Sequence, residues 1–380
     1  MRLPDLLFVL FVTCLTLTGL ISYTQLTSVY YRNNLLPANA LFDLFIVLYV
    51  FAVPATRILP VAAPFFLLST FYILTSAIFL PAPNGGAPSP LDFIISFKAF
   101  FYLAILCFAR PRKLSISLGA LEKVFKYLLM AFFLKYLFSK TILEIPRPGL
   151  FTENNFEIVF LLVIFIFLSR CGRLRSKFWA ILLLGVVLLS GSRSGLLGLF
   201  AALLTSNGQR SMRLIIELFF LFVLVAAVLT LIDNRIVGLM DLASVDRFLF
   251  FTLFLEELKR FEVWQYLVGW TPMTPLSDST CMRMGFYGSL FSSANSDVCY
   301  SVVLHVFYFR VILDHGVLGL IFLIAGFYFL LRSNGLNGSL SFAIIIQGLI
   351  NGLSISGFAN TYFFLAVVLV TSHYSKIRTA

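Results

Sequence analysis

Apolar runs close to the ~20 residues that cross a bilayer as a helix recur from one end of the chain to the other, and they leave few alternatives for its fold. Separated by short gaps, they fall at about 4–24, 37–56, 58–80, 91–109, 118–142, 155–170, 178–191, 193–206, 213–232, 305–331, 340–354 and 358–374. Only 12% of the residues are charged, whereas soluble domains carry about 25%. The expectation is all-α: a polytopic transmembrane bundle of about twelve spans, one integral membrane domain over residues 1–380. The first run follows a single arginine and lacks a small-residue cleavage site, so it reads as a retained span.

Charge placement orients this bundle. The net charge of +11 is spread over short gaps: 110–113, 170–177, and Arg210 with Arg213. That distribution marks one side of a membrane, since basic residues in short loops resist translocation. It does not resemble a nucleic-acid surface, and no nucleic-acid partner is expected. With twelve crossings, Arg57, these clusters, Arg332 and the Lys376/Arg378 tail share the cytoplasmic side, together with both termini. The seventh and eighth spans are short, about 13 residues or ~20 Å each, and fusing them would put basic clusters on opposite faces. Two short spans meeting near the outer face fit better and leave Arg193 recessed.

Three outer loops follow from this topology: the Pro/Gly turn at 81–90, the segment at 144–157, and a long connection over 233–304. Loops of that last length are commonly functional. Within it, DRFLFFTLFLEELKRFEVWQYLVG (246–269) has the pattern of an amphipathic helix lying along the outer interface. Of the five cysteines, Cys281 and Cys299 lie in this loop, where an oxidising compartment would permit a disulfide. No C-x-x-C, Walker, H-E-x-x-H or G-x-S-x-G pattern is present. No metal site or cofactor is expected.

The stretch HVFYFRVILDHGVLGL (305–320) places four ionisable groups at the head of an apolar run. At helical spacing His305, Phe309, Ile312, Gly316 and Gly319 share a stripe, with the glycines admitting a close neighbour helix. Arg310 and Asp314, four apart, can pair as a strut between helices; His315 faces elsewhere. His305 reads either as a residue capping a span or as a functional group, since ionisable groups at membrane level are costly to place. In LLSGSRSGLLGL (188–199), Arg193 between Ser192 and Ser194 suits an anion, its planar fork matching phosphate oxygens; a plain turn with a snorkelling arginine is the alternative. Arg147 and Arg247 are two further outer arginines, and each has an acid nearby in sequence.

Three of these stretches carry a family resemblance. GSRSGLLGL (191–199), RPGLFTENNF (147–156) and the interval from His305 to Gly316 and Gly319 together resemble the O-antigen polymerase and O-antigen ligase superfamily of bacterial membrane glycosyltransferases. SVDRFLFF and LVGW (267–270) resemble it more weakly, and Val306 stands where the family often has asparagine. The likeness covers roughly residues 147–320 and implies a GT-C-like bundle in the bacterial inner membrane, with its active site facing the periplasm. It implies metal-independent, inverting transfer of a glycan from undecaprenyl pyrophosphate, with membrane lipid as surroundings. A chain-length regulator remains open as a partner. The resemblance further implies His305, Arg193 and Arg247 as catalytic residues, and Arg147, Asn154, Asn155, Ser192, Ser194 and Arg310 as substrate contacts. The imidazole would accept the acceptor's hydroxyl proton, and the arginines would hold the pyrophosphate as charge builds on it. A polymerase adds the glycan to another lipid-linked repeat unit, whereas a ligase transfers it to lipid A–core. A flippase or transporter would instead place its essential charges at Arg310, Asp314 and His315.

Overall fold

A computed structural model describes residues 3–22, 36–51, 60–78, 89–109, 116–206 and 246–373, apart from residues 146, 175, 272 and 296. The expected ninth span (213–232), Arg57, the basic groups at 110–113, Arg210 and Arg213, most of the 81–90 turn, and the Lys376/Arg378 tail lie outside the described residues. Among the described residues the protein is all-helical, with fourteen α-helices and no strand. In chain order these are α1 (Leu3–Ile21), α2 (Ala38–Phe51), α3 (Ala63–Ile78), α4 (Pro90–Leu106), α5 (Leu118–Thr141), α6 (Asn154–Arg170) and α7 (Lys177–Ser190). They continue with α8 (Arg193–Ser206), α9 (Asp246–Leu258), α10 (Gln265–Val268), α11 (Asp278–Arg283), α12 (Phe307–Ser333), α13 (Gly338–Gly352) and α14 (Thr361–Thr371). By length and composition, α1 and α12 are apolar enough to cross a membrane; α2, α3, α7, α8, α13 and α14 are shorter apolar helices. Two compact units form, one from Met1–Phe66, Tyr102–Gly208 and Phe327–Ala380, the other from Leu67–Phe101 and Gln209–Gly326.

In the first unit α6 and α14 are central because they are apolar all round. Every residue of α14 and each position from Ile158 to Leu168 in α6 is buried. Around them, α6 packs against α8, α13 and α14, while α5 joins α1 and α7. Side-chain caps fix several starts: Ser117 accepts from the Ala120 N–H, Asn337 from Leu340, and Asn360 from Tyr362. The buried Lys135 of α5 donates to the Gly19 and Ser22 carbonyls, satisfying acceptors at and beyond the end of α1. At the rim the pattern inverts: Leu10, Leu17, Leu44 and Leu48 of α1 and α2 are each more than half exposed. The GSRSG segment separates α7 from α8, as the charge argument expected. Gly191 turns the chain in the left-handed region (φ 66°), which a side chain would oppose.

The second unit contains the described part of the long connection. Cys281 and Cys299 are joined by a disulfide, closing an 18-residue interval worth about 3 kcal/mol in lost unfolded-chain entropy. The expected single helix over 246–269 is not one helix. It stops at Leu258, where Lys259, Arg260 and Phe261 tighten into i→i+3 turns, and only Gln265–Val268 resumes helical form. At this end of the helix Glu257 ties α9 to the chain that follows. Its buried carboxylate accepts from the Ser277 N–H (3.1 Å), from the Ser277 and Thr280 hydroxyls, and from Arg260 (2.6 Å). Burial raises this group's pKa, but those donors outweigh burial and leave it below the usual glutamate value. The sign is that of a depressed acid. Its stabilisation is full above the unfolded-state pKa and is lost as pH falls through the folded value. Thermal melts of the loop followed by tryptophan fluorescence should drop as pH falls below about 4. Glu257→Gln should flatten that window and cost about 2 kcal/mol at neutral pH.

Candidate functional site

The residues singled out in the sequence fall into two groups, one in each unit. In the first unit, RPGLFTENNF is shaped by a residue the sequence reading passed over. Glu157, buried in the first turn of α6, accepts the Tyr136 hydroxyl (2.5 Å) and the N–H groups of Leu150 (2.8 Å), Phe151 (2.8 Å) and Thr152 (3.3 Å). One carboxylate thus folds the 150–152 backbone back onto the helix start. The amide of Asn154 donates to the Ser190 carbonyl, tying this segment to the end of α7.

The GSRSG turn is held just as fully. Ser190 accepts from the Ser192 N–H (3.0 Å), Ser192 caps α8 through the Gly195 N–H (2.9 Å), and Ser194 bonds Ser354 (2.7 Å). Asn351 donates to the Asn155 carbonyl (2.9 Å), and Asn360 to the Phe156 carbonyl (2.9 Å) and to Asn351 (3.1 Å). Asn154, Ser192 and Ser194 are therefore buried and committed to internal bonds, and Asn155 serves through its backbone. Arg147 and Arg193 in these segments are exposed, as is Glu153, which interacts electrostatically with Arg147. Arg193 is the first residue of α8, where the helix dipole adds to its own charge in favour of an anion. The asparagines and serines of NGLSISGFAN (351–360) were the available signal for this network, since polar residues in an apolar run must find partners.

In the second unit His305 does not belong to the stripe expected for it. A short 3-10 turn, Ser301–Leu304, ends at His305, whose φ of 52° lies in the left-handed region, and α12 begins at Phe307. The imidazole is half-buried, with ring centroids 5.1 Å from Tyr287 and 5.7 Å from Phe250. A non-glycine residue held at positive φ carries local strain, a feature that clusters at functional positions. Arg247 is the second residue of α9.

The glycines also act differently from expectation. Gly316 breaks α12 (φ 66°, ψ −178°), so the stripe is interrupted there. The long helix expected against it is not what lies there: the neighbour is the end of the short helix α10. The Leu267–Trp270 segment crosses the break: a Cβ on Gly316 would lie 2.2 Å from the Leu267 oxygen, and one on Gly269 would lie 2.5 Å from the His315 nitrogen. The Trp270 N–H donates to the Leu313 carbonyl across this crossing (2.8 Å).

Before the break, Arg310 and Asp314 are both buried and interact electrostatically. Asp314 accepts the Ser301 hydroxyl, and Arg310 donates to the Ile95 carbonyl (3.5 Å). His315 is enclosed more completely than His305. Its Nδ1 pairs with the Tyr72 hydroxyl (2.7 Å), and Phe97 and Phe100 stand edge-on to its ring. Tyr72 and Ser301 gave no sequence signal; Tyr72 lies 243 residues from its partner. Among the described residues no cluster of three His, Cys, Asp or Glu side chains forms that could hold a metal ion.

No family model matches the chain, and no curated protein is significantly similar to it.

Proposed function

We propose that this chain is a polytopic membrane glycosyltransferase that polymerises undecaprenyl-pyrophosphate-linked repeat units at the periplasmic face of a bacterial inner membrane. The observation that carries the reading is the polar network of the first unit. In an otherwise apolar helical core, a network of hydrogen bonds is spent on holding two arginine-bearing segments, whose exposed charged side chains are Arg147, Arg193 and Glu153, the acid lying within electrostatic reach of Arg147. Such a scaffold suits a doubly charged leaving group, because preorganised cations stabilise charge that develops during transfer.

The membrane setting draws on the outward leucines of α1 and α2, on the two long apolar helices, and on the disulfide. Cys281 and Cys299 are oxidised in the long connection, whereas Cys171, in the basic 170–177 segment, is free. That division fits an oxidising outer face and a reducing inner one. In this reading about twelve spans cross the bilayer. An acceptor hydroxyl attacks the anomeric carbon, the glycosidic bond to pyrophosphate breaks with inversion, and the proton leaves to His305. The sequence resemblance, not a juxtaposition of the two units, assigns the pyrophosphate to Arg193, Arg147 and Arg247.

A transport reading rests on one specific observation: α12 is discontinuous at Gly316 beside the buried Arg310, Asp314 and His315, and broken helices often mark transport pathways. Parallel substitutions separate the two. In cells lacking the native chain, His305→Ala and Arg193→Ala should each cut long glycans by about 10²-fold or more at normal protein level, leaving single repeat units. His315→Gln should leave glycan length intact. The reverse pattern favours transport; long lipid-linked chains that never reach the core would indicate a ligase.

A further inference from the structure

We infer that residues 263–268 form a membrane-inserted tip, a shallow loop whose partner is the acyl-chain region of the outer leaflet. The inference rests on the membrane reading above but not on the glycosyltransferase chemistry. Val263 is 87% exposed, Trp264 52% and Leu267 53%, and Tyr266 and Val268 are exposed beside them. Apolar groups so exposed on consecutive residues are unfavourable in water.

Many polar atoms of this segment are satisfied from within, which lowers the cost of leaving water. The Trp264 indole N–H donates to Glu262 (2.6 Å), the Tyr266 hydroxyl to the Leu258 carbonyl (3.0 Å), and the Gln265 side chain accepts the Glu262 N–H (2.7 Å). The backbone N–H groups of Gln265, Leu267, Val268, Gly269 and Trp270 all have carbonyl partners. Each backbone bond made internally makes a shallow position beside hydrocarbon less costly.

Position supplies the remaining argument. The Gly269–Gly316 crossing sets Leu267 directly against the break in α12. The next turn of α12 exposes Val317, Leu318 and Ile321, with Leu318 at 52% and Ile321 at 55%. The tip and this face of a helix long enough to span thus flank the same break in α12. The exposed Lys259 precedes the tip and suits the anionic headgroup layer, and tryptophan and tyrosine favour that boundary. Insertion is therefore shallow: the aromatic rings lie at the boundary, with Val263, Leu267 and Val268 below it.

The test uses the full chain with Cys14, Cys107 and Cys171 replaced by alanine and the disulfide retained. Single cysteines at Val263→Cys, Leu267→Cys, Ser279→Cys and Leu318→Cys carry an environment-sensitive fluorophore. The protein is placed in vesicles of phosphatidylethanolamine and phosphatidylglycerol bearing a nitroxide high in the acyl chain. Quenching at positions 263 and 267 several-fold above position 279, and close to that at 318, is the expected result. Quenching at 318 alone overturns the inserted tip and leaves the membrane reading standing. No quenching at 318 overturns the membrane reading itself. The emission lost on Trp264→Phe in the otherwise native chain gives a second readout: it should be blue-shifted and quenched by brominated lipid, and a water-like emission maximum overturns the proposal.

Discussion

Gly316→Ala should destabilise the second unit by about 3–5 kcal/mol, combining a backbone region that is almost glycine-only with overpacking against fixed atoms. At φ 66° and ψ −178° an alanine is strained before any contact is counted. Its Cβ would then meet the Leu267 oxygen at 2.2 Å and the Gly269 nitrogen at 2.5 Å, neither of which is a side chain that can swing away. Relief requires the 267–270 segment to withdraw, which also removes the Trp270–Leu313 hydrogen bond. Melting in detergent, with limited proteolysis at residues 259–270, reads both effects. Gly285→Ala is the matched control, because nothing lies within 4 Å of its added Cβ; it should melt like the parent. An unchanged melt for Gly316→Ala would mean that the two backbones do not cross there.

Glu157→Ala should cost about 4 kcal/mol in the first unit, because it strands several donors that burial keeps from water. The Tyr136 hydroxyl and three consecutive N–H groups lose their acceptor together. Glu157→Gln is only a partial substitute, since one oxygen becomes a donor facing donors. Within the proposed function Glu157→Ala should also impair glycan length, through displacement of the Arg147 segment, whereas Glu153→Gln should leave stability nearly unchanged. Chemical denaturation and glycan profiles of the two variants compare them directly.

Much of the helical layout was legible because periodic apolar runs and their polar gaps are local properties. Eleven of the twelve expected stretches contain a described helix, and the separation of α7 from α8 followed from charge placement and a glycine. What escaped was long-range. The apolar pattern runs unbroken through His305, so nothing local showed that a 3-10 turn would end there. Gly316 looked like a helix-packing glycine until the distant Leu267–Trp270 segment proved to be what crosses it. The last turn of α9 is tied through Glu257 to Ser277 and Thr280, twenty or more residues away in sequence. The candidate arginines were visible by type, but the scaffold that aims them was not. Glu157, Asn351 and Asn360 act on backbone groups, and no motif identifies such partners.

The most direct test of the central claim is polymerisation by the purified protein. Reconstituted into vesicles, it would be supplied with undecaprenyl-pyrophosphate-linked repeat units, and the lipid-linked products separated by size. The account predicts a ladder of extended glycans and released undecaprenyl pyrophosphate, retained in the presence of a chelator and lost in Arg193→Ala and His305→Ala protein that melts normally. Folded native protein that leaves the repeat units single would contradict it.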